Sequence, residues 1–263
     1  MNVLGQLLDA SKEVSKTLGS GYNEGVYEEA LVHEFRLRGI PYERQRNIEI
    51  IYKNHCIGGR TPDCVLYPLW SGSKKEFLLE MKCANKITED HLMQAKVYLN
   101  SMNIDRGFLL NFNKKDASVE IEKVSRTKEP ARAPCKKPEC TKNLQKALTE
   151  SGRTVLDLLG TEFRYSPRDI YPNAVAVELR LRGFEFGTLE YPILYKNQKV
   201  ASHTFDYVFK SGEVAEITFY EEEEELAQAA EEMKEYNGLF GIKNGYLLGL
   251  PASEKGKVIV KRT

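Results

Sequence analysis

Long apolar runs are missing from this 263-residue chain. No segment approaches the ~20 apolar residues that span a bilayer, and the stretch MNVLGQLLDASKEV lacks the apolar centre of a secretory signal. Net charge is missing too, because 38 Lys and Arg are matched by 38 Asp and Glu. The global basic field of many nucleic-acid binders is therefore absent, while a local basic groove stays open. Cysteine is scarce, odd in number and irregularly spaced: Cys56, Cys64, Cys83, Cys135 and Cys140. These absences predict an intracellular, soluble protein with reduced thiols and no membrane contact. Cys135 and Cys140 have no His close by, so a second zinc-ligand pair is lacking. His33, His55, His91 and His203 are scattered, and none is assigned to catalysis. No Gly-rich phosphate cradle occurs, which argues against nucleotide hydrolysis.

What is present is a core and an internal repeat. Hydrophobic residues make up 41% of the chain, and its length fits one large or two ordinary domains. The segment EEALVHEFRLRGIPYERQRNIEIIYKNHCIGGRTPDCVL (28–66) is echoed by PNAVAVELRLRGFEFGTLEYPILYKNQKVASHTFDYVF (172–209). Both hold RLRG, then YKN, then an Asp, Asp63 in the first and Asp206 in the second. GFLLNF (107–112) later matches GYLLGL (245–250). The period of about 140 residues is too long for a solenoid and predicts two copies of one domain, at 1–124 and 147–263. Between them, 125–146 reads as a basic, Pro-containing linker, and the stretch 123–146 carries eight Lys or Arg, two Glu and three Pro.

In the first copy, Val3, Leu4, Leu7, Leu8, Val14 and Leu18 recur at helical spacing over 2–18. A second helix is predicted from the cap Asn23 to Arg38, stopped by Gly39. Strands are predicted over 42–52, 55–59, 62–67, 76–82, 106–112 and 118–124, with a helix over 88–102. Helices flanking a mixed sheet make an α/β fold. The second copy follows the same plan and adds an acidic stretch, 213–235, with ten Glu and one Lys. Its plainer reading is a solvated helix face, and such a surface repels phosphate.

The strand EFLLEMKCANK (76–86) places Leu78, Glu80 and Lys82 on one face and Phe77, Leu79 and Met81 on the other. The plainer reading is a half-exposed strand with its polar side in water. The sharper one needs partners, and Asp63 supplies the first. Pro62-Asp63, a spacer and Glu80-Met81-Lys82 resemble the signature of the PD-(D/E)XK nuclease superfamily. Upstream, GYNEGVY gives Gly21-x-x-Glu24-x-x-Tyr27. With YEEAL, RLRGI and GFLLNF it resembles the GxxExxY family of that superfamily over residues 3–124.

The resemblance implies two tandem restriction-endonuclease-like domains, each a mixed central sheet flanked by helices, and a nuclease using Mg²⁺ or Mn²⁺. It places the metal on Asp63 and Glu80, two hard oxygen ligands from neighbouring strands. Lys82 then holds the attacking water and offsets charge. Glu24 is the expected helix carboxylate, with Glu28 and Glu29 as rivals. Gln94 and Tyr98, four apart on one helix face, complete the set, Gln94 as a catalytic residue and Tyr98 as a nucleic-acid contact. Lys74 and Lys75 could reach a phosphate. Trp70 could stack on a base, although packing within its own loop is the plainer reading. Cys64 and Cys83 read as small core residues.

The second copy reads Glu216-Ile217-Thr218 where the first has Glu80-Met81-Lys82, Glu232 near Gln94, and Arg168 at the position of Glu24. Asp206 and Glu216 persist. Glu34 and Glu178 both persist beside RLRG and read as structural. This is the pattern of a copy that kept the fold and lost the chemistry.

Two functions follow as expectations. In the first, the N-terminal copy hydrolyses phosphodiester bonds, DNA being favoured over RNA, while the C-terminal copy is architectural. In the second, the chain is a non-catalytic structural or assembly protein on a retired nuclease fold. It would then bind a protein partner or self-associate through its C-terminal half. A virion role fits that second function, because relatives of the family also occur in large DNA viruses. A weaker third reading is a nucleic-acid-binding module without cleavage, carried by the basic linker and by Lys74 and Lys75.

Overall fold

The computed structural model describes residues 3–67, 75–126, 138, 141–165, 169–253 and 256–263. Trp70, Lys74, Cys135, Cys140, Arg168 and most of the basic linker lie outside the described residues. The chain divides into two compact units, Met1–Pro134 and Cys135–Thr263.

In the first unit, helix α1 (Val3–Leu18) buries Leu7, Ala10, Ser11 and Val14, a stripe at helical spacing. Helix α2 (Glu24–Leu37) opens on Asn23, whose Oδ1 accepts the Val26 N–H at 3.2 Å. It closes where Gly39, at φ +64°, lets the chain reverse so that the Ile40 N–H reaches Phe35 O at 2.9 Å. Strands β1 (Tyr42–Arg44), β2 (Ile48–Tyr52), β3 (His55–Arg60), β4 (Cys64–Leu66) and β5 (Phe77–Lys82) follow. Helix α3 (Glu89–Met102) leads to β6 (Arg106–Phe112) and β7 (Val119–Ser125). The main sheet has the order β1-β4-β5-β6-β7. Only β5–β6 is parallel, the pairing that needs α3 as its crossover.

Leu79, Met81, Leu110 and Phe112 face α1 and α2 and join Leu7, Tyr27, Leu31 and Phe35 in one core. Each fully buried side chain of this kind contributes about 1.5–3 kcal/mol. Gly107 is required where β5 and β6 meet, because a Cβ there would lie 2.8 Å from the Leu78 Cβ and carbonyl oxygen. The single strand expected over 42–52 is two. Gln45, at φ +50°, breaks it, so that β1 pairs with β4 while β2 pairs with β3 in a separate hairpin. That hairpin turns through Lys53 (φ +46°) and Asn54 (φ +68°), a two-residue turn of the kind suited to strand twist. Its β2 packs on α3, tied by the Ser101 hydroxyl, which accepts the Ile51 N–H at 3.3 Å.

The second unit comprises α4 (Leu144–Leu159), a short 3₁₀ turn (Glu162–Tyr165), α5 (Ile170–Leu181), β8 (Phe186–Gly187), β9 (Glu190–Tyr195) and β10 (Gln198–Thr204). It continues through β11 (Tyr207–Phe209), β12 (Val214–Tyr220), α6 (Glu223–Leu239), β13 (Gly245–Pro251) and β14 (Ile259–Arg262). Asn143 caps α4, accepting the Lys146 N–H at 2.9 Å, so the last residues of the basic segment enter a helix. The main sheet runs β14-β13-β12-β11-β8, again with one parallel pair, β12–β13. A hairpin of β9 and β10 turns through Lys196 (φ +49°) and Asn197 (φ +65°). The α/β class expected from the sequence therefore holds. Two mixed five-stranded sheets, each flanked by helices, are consistent with two restriction-endonuclease-like domains.

Candidate active site

Strand β5 is buried on both faces. Leu79 and Met81 lie in the core under α1 and α2, while Leu78 and Glu80 are buried on the side of α3. The wet-face reading of Glu80 and Lys82 is thus ruled out, since Glu80 is only 3% exposed. A carboxylate in such a place needs charge compensation or a ligand. Lys82 supplies the first, its Nζ donating to Glu80 Oε1 at 3.0 Å.

Asp63 immediately precedes β4. The β4–β5 register pairs Cys64 with Leu79, and one further step sets Asp63 opposite Glu80. The Asp63 Oδ2 accepts the Met81 N–H at 2.6 Å, so the carboxylate continues the pairing just before β4 begins. Glu24 comes from the first turn of α2, and its Oε2 accepts the Cys83 N–H at 3.2 Å. Its rivals are engaged elsewhere. Arg44 Nε donates to Glu28 Oε1 at 2.8 Å, and an Arg44 terminal nitrogen donates to Glu29 Oε1 at 2.5 Å. Of the three helix carboxylates, Glu24 reaches the end of β5.

Electrostatics follows from this crowding. Burial, with Glu80 beside it, pushes the Asp63 carboxyl well above the usual range. Burial also raises Glu80, against the pull of the Lys82 ammonium. For Lys82 burial acts downward, but the carboxylates of Glu80, Glu24 and Asp63 outweigh it and hold the amine protonated. Three carboxyl groups thus converge near one ammonium.

The residues fit a divalent cation. Glu80 Oε2 is buried with no hydrogen-bond partner. A bound cation would satisfy it and relieve the excess of buried carboxylate. Among the described residues no three His, Cys, Asp or Glu side chains form a metal-holding group. The pair Asp63 and Glu80 is the donor set on offer, and Mg²⁺ is commonly held by one or two carboxylates with water.

Helix α3 backs the site. Gln94 Nε2 donates to the Tyr98 hydroxyl at 3.3 Å, and Gln94 Oε1 is buried without a hydrogen-bond partner. Tyr98, the expected nucleic-acid contact, is itself buried, its hydroxyl pushed up by burial and by Glu80. Lys75 precedes β5 at the end opposite Lys82, roughly 20 Å away along the strand, and is not brought to the site. The thiol of Cys64 is buried and pushed up to about 12, an inert core group.

Two residues escape the sequence reading. Asn111, paired with Lys82 across β5–β6, is fully buried. Its Oδ1 accepts the Ala84 N–H at 2.9 Å and its Nδ2 donates to Ala84 O at 3.1 Å, clamping the chain just past Lys82. His91, on the first turn of α3, lies within the electrostatic reach of Lys82 and Glu24. Its signal was the spacing His91-x-x-Gln94-x-x-x-Tyr98, one face of one helix.

The second unit holds a related arrangement. The β11–β12 register pairs Tyr207 with Ala215, which sets Asp206 opposite Glu216, and Asp206 Oδ2 accepts the Ile217 N–H at 2.7 Å. Thr218 follows where the first unit has Lys82. Glu216 is met by His203 of β10, Nε2 to Oε1 at 2.7 Å, with the imidazole stacked on Tyr236 at 4.3 Å between centroids. Asp206, Glu216 and Thr218 line a cavity of about 480 Å³ together with Arg164, Asp169 and Tyr171.

A family model described as the PD-(D/E)XK nuclease superfamily matches residues 2–124. No curated protein matches the sequence. A solved structure titled "Crystal structure of SSO0001" aligns with a TM-score of 0.33 and 14% identity, over 41% of this chain and 52% of its own. The chain therefore spans about half the length of that protein.

Proposed function

We propose that the first unit is a metal-dependent nuclease of the GxxExxY type, acting on DNA in preference to RNA. The observation that carries this reading is the meeting of Asp63, Glu80 and Lys82 at the paired ends of β4 and β5, with a buried Glu80 oxygen left without a partner. The superfamily match over the same segment supports it. Asp63 and Glu80 would hold Mg²⁺ or Mn²⁺, and the chemistry such an ion supplies is a water of lowered pKa and neutralised phosphoryl charge. Lys82 stays protonated among three carboxylates, so it orients the attacking water by donating to it and balances charge on the phosphate. Glu24 fixes the backbone just after Lys82 through the Cys83 N–H. Gln94 offers its buried amide oxygen to the same side.

The second unit, in this reading, is a duplicated copy that no longer cleaves. Support comes from the shared register of Asp63–Glu80 and Asp206–Glu216, the shared turns at Asn54 and Asn197, and Thr218 in place of Lys82. Its role is architectural, through a protein partner or self-association, and the basic segment between the units is a linker. Purified protein and Lys82→Ala, incubated with single- and double-stranded DNA and RNA in Mg²⁺, Mn²⁺ or EDTA, test the proposal. Cleavage by the wild type alone, abolished by EDTA, is expected. No cleavage under any condition would favour the non-catalytic assembly role.

A further inference from the structure

Along α3, His91, Gln94 and Tyr98 stand at i, i+3 and i+7, on one face. Tyr98 is buried at the far end, and Gln94 Oε1 is buried without a hydrogen-bond partner in the middle. His91 is half-buried at the near end, in the first turn of the helix the chain enters soon after β5 ends at Lys82, and α3 packs on β5. Its ring closes a reciprocal cap. Nδ1 accepts the Thr88 N–H at 3.2 Å, while the His91 N–H donates to Thr88 Oγ1 at 3.3 Å. A ring nitrogen that accepts an N–H carries no proton, so the neutral imidazole bears its hydrogen on Nε2. Burial and the Lys82 ammonium hold the imidazole below its usual range, which favours that neutral form. The cap therefore fixes both tautomer and ring plane. A cap alone needs no imidazole, since Glu or Gln is the usual residue at this position. What the ring adds is a donor on the side away from Thr88.

We propose that His91 is a further residue of this site, with Nε2–H donating a hydrogen bond to the phosphate of the nucleic acid bound at Asp63, Glu80 and Lys82. The inference rests on the nuclease reading of that site. A neutral donor suits a position beside an ammonium, because it adds phosphate stabilisation without repelling Lys82.

Two substitutions separate the cap from the donor. In His91→Asn the amide oxygen can take the place of Nδ1, and the Nε2 donor is lost. In His91→Gln the amide oxygen can keep the cap while the amide nitrogen supplies a donor in place of Nε2–H. Single-turnover cleavage and thermal unfolding are measured for the wild type, both variants and Lys82→Ala. The expected result is that His91→Asn unfolds at the wild-type temperature and cleaves about 10²-fold more slowly. His91→Gln should regain most of that rate. Wild-type cleavage by His91→Asn would overturn the proposal and leave the ring as a cap. So would a rate loss that follows a lowered unfolding temperature and is not restored by His91→Gln. A wild type that cuts nothing removes the nuclease reading itself, and this proposal with it.

Discussion

In the first unit Asp63 stands opposite Glu80 and takes the Met81 N–H. In the second, Asp206 stands opposite Glu216 and takes the Ile217 N–H. The side chain that meets the glutamate differs. Lys82 reaches Glu80 from two residues along the same strand, whereas His203 reaches Glu216 from β10. The strand clamp differs as well, because the residue paired with Lys82 is Asn111 and the one paired with Thr218 is Gly249. Each aspartate takes an N–H of the neighbouring strand just before its own short strand begins, so their persistence has a backbone reason independent of catalysis. Lys82, Asn111 and the helix carboxylate Glu24 surround the end of β5, and these are what the second unit replaces or, at Arg168, leaves outside the described residues. A retained Asp–Glu pair is thus weak testimony for activity, while the lysine and its supports are strong testimony.

The comparison is broken most forcefully by giving the first unit the second unit's residue. Lys82→Thr should lower cleavage by about 10²–10³-fold or more, read in single-turnover assays. Adding Thr218→Lys to that variant should restore nothing, because Glu216 is already engaged by His203. Recovery of cleavage would reduce the difference between the units to one side chain.

Gly107→Ala should destabilise the first unit by about 1–3 kcal/mol in urea unfolding, since the new Cβ meets Leu78 backbone that cannot move aside. The matching Gly245 is crowded by the side chains of Asn237 and Thr263, which can shift, so Gly245→Ala should be the milder change.

A third test uses protons. Asp63 has its carboxyl raised above the ordinary value, so between about pH 4 and that raised value the folded state binds more protons than the unfolded one. Stability contributed by Asp63 therefore falls as pH rises through that window. Asp63→Asn should gain on the wild type in metal-free unfolding as pH rises from 4 to 7, while the surface carboxylates cancel in the difference. A gap independent of pH would refute the burial of charge at this site.

The smallest effects belong to the turns. Asn54→Ala and Asn197→Ala should each destabilise the protein by about 1 kcal/mol, because both residues hold positive φ. A loss at only one would show that the two hairpins depend on their turns differently. Their surroundings already differ, with Tyr52 3% exposed and Tyr195 62% exposed.

Much of this was legible in the sequence where local chemistry decides the structure. Asn23 and Gly39 bound α2, the YKN turns set both hairpins, and alternation placed Glu80 and Lys82 on one face. What failed depended on tertiary context. The break at Gln45 follows from β1 joining β4, a pairing no local pattern reveals. The burial of Glu80 comes from α3 and β6 closing over β5. The preference for Glu24 over Glu28 and Glu29, by contrast, did not fail, but its physical basis is visible only in the fold, where Arg44 of β1 takes the other two. Lys75 looked close to the site in sequence, yet a strand's length divides it from Lys82. His91 carries no local mark of a site, because part of its charge environment comes from Glu24, on another helix.

Metal binding tests the central claim without knowledge of the substrate. We would titrate Mn²⁺ by calorimetry into the wild type, Asp63→Asn and Asp206→Asn. The account predicts binding by the wild type, its loss in Asp63→Asn and its retention in Asp206→Asn. Binding that survives Asp63→Asn, or that disappears in Asp206→Asn, would contradict it.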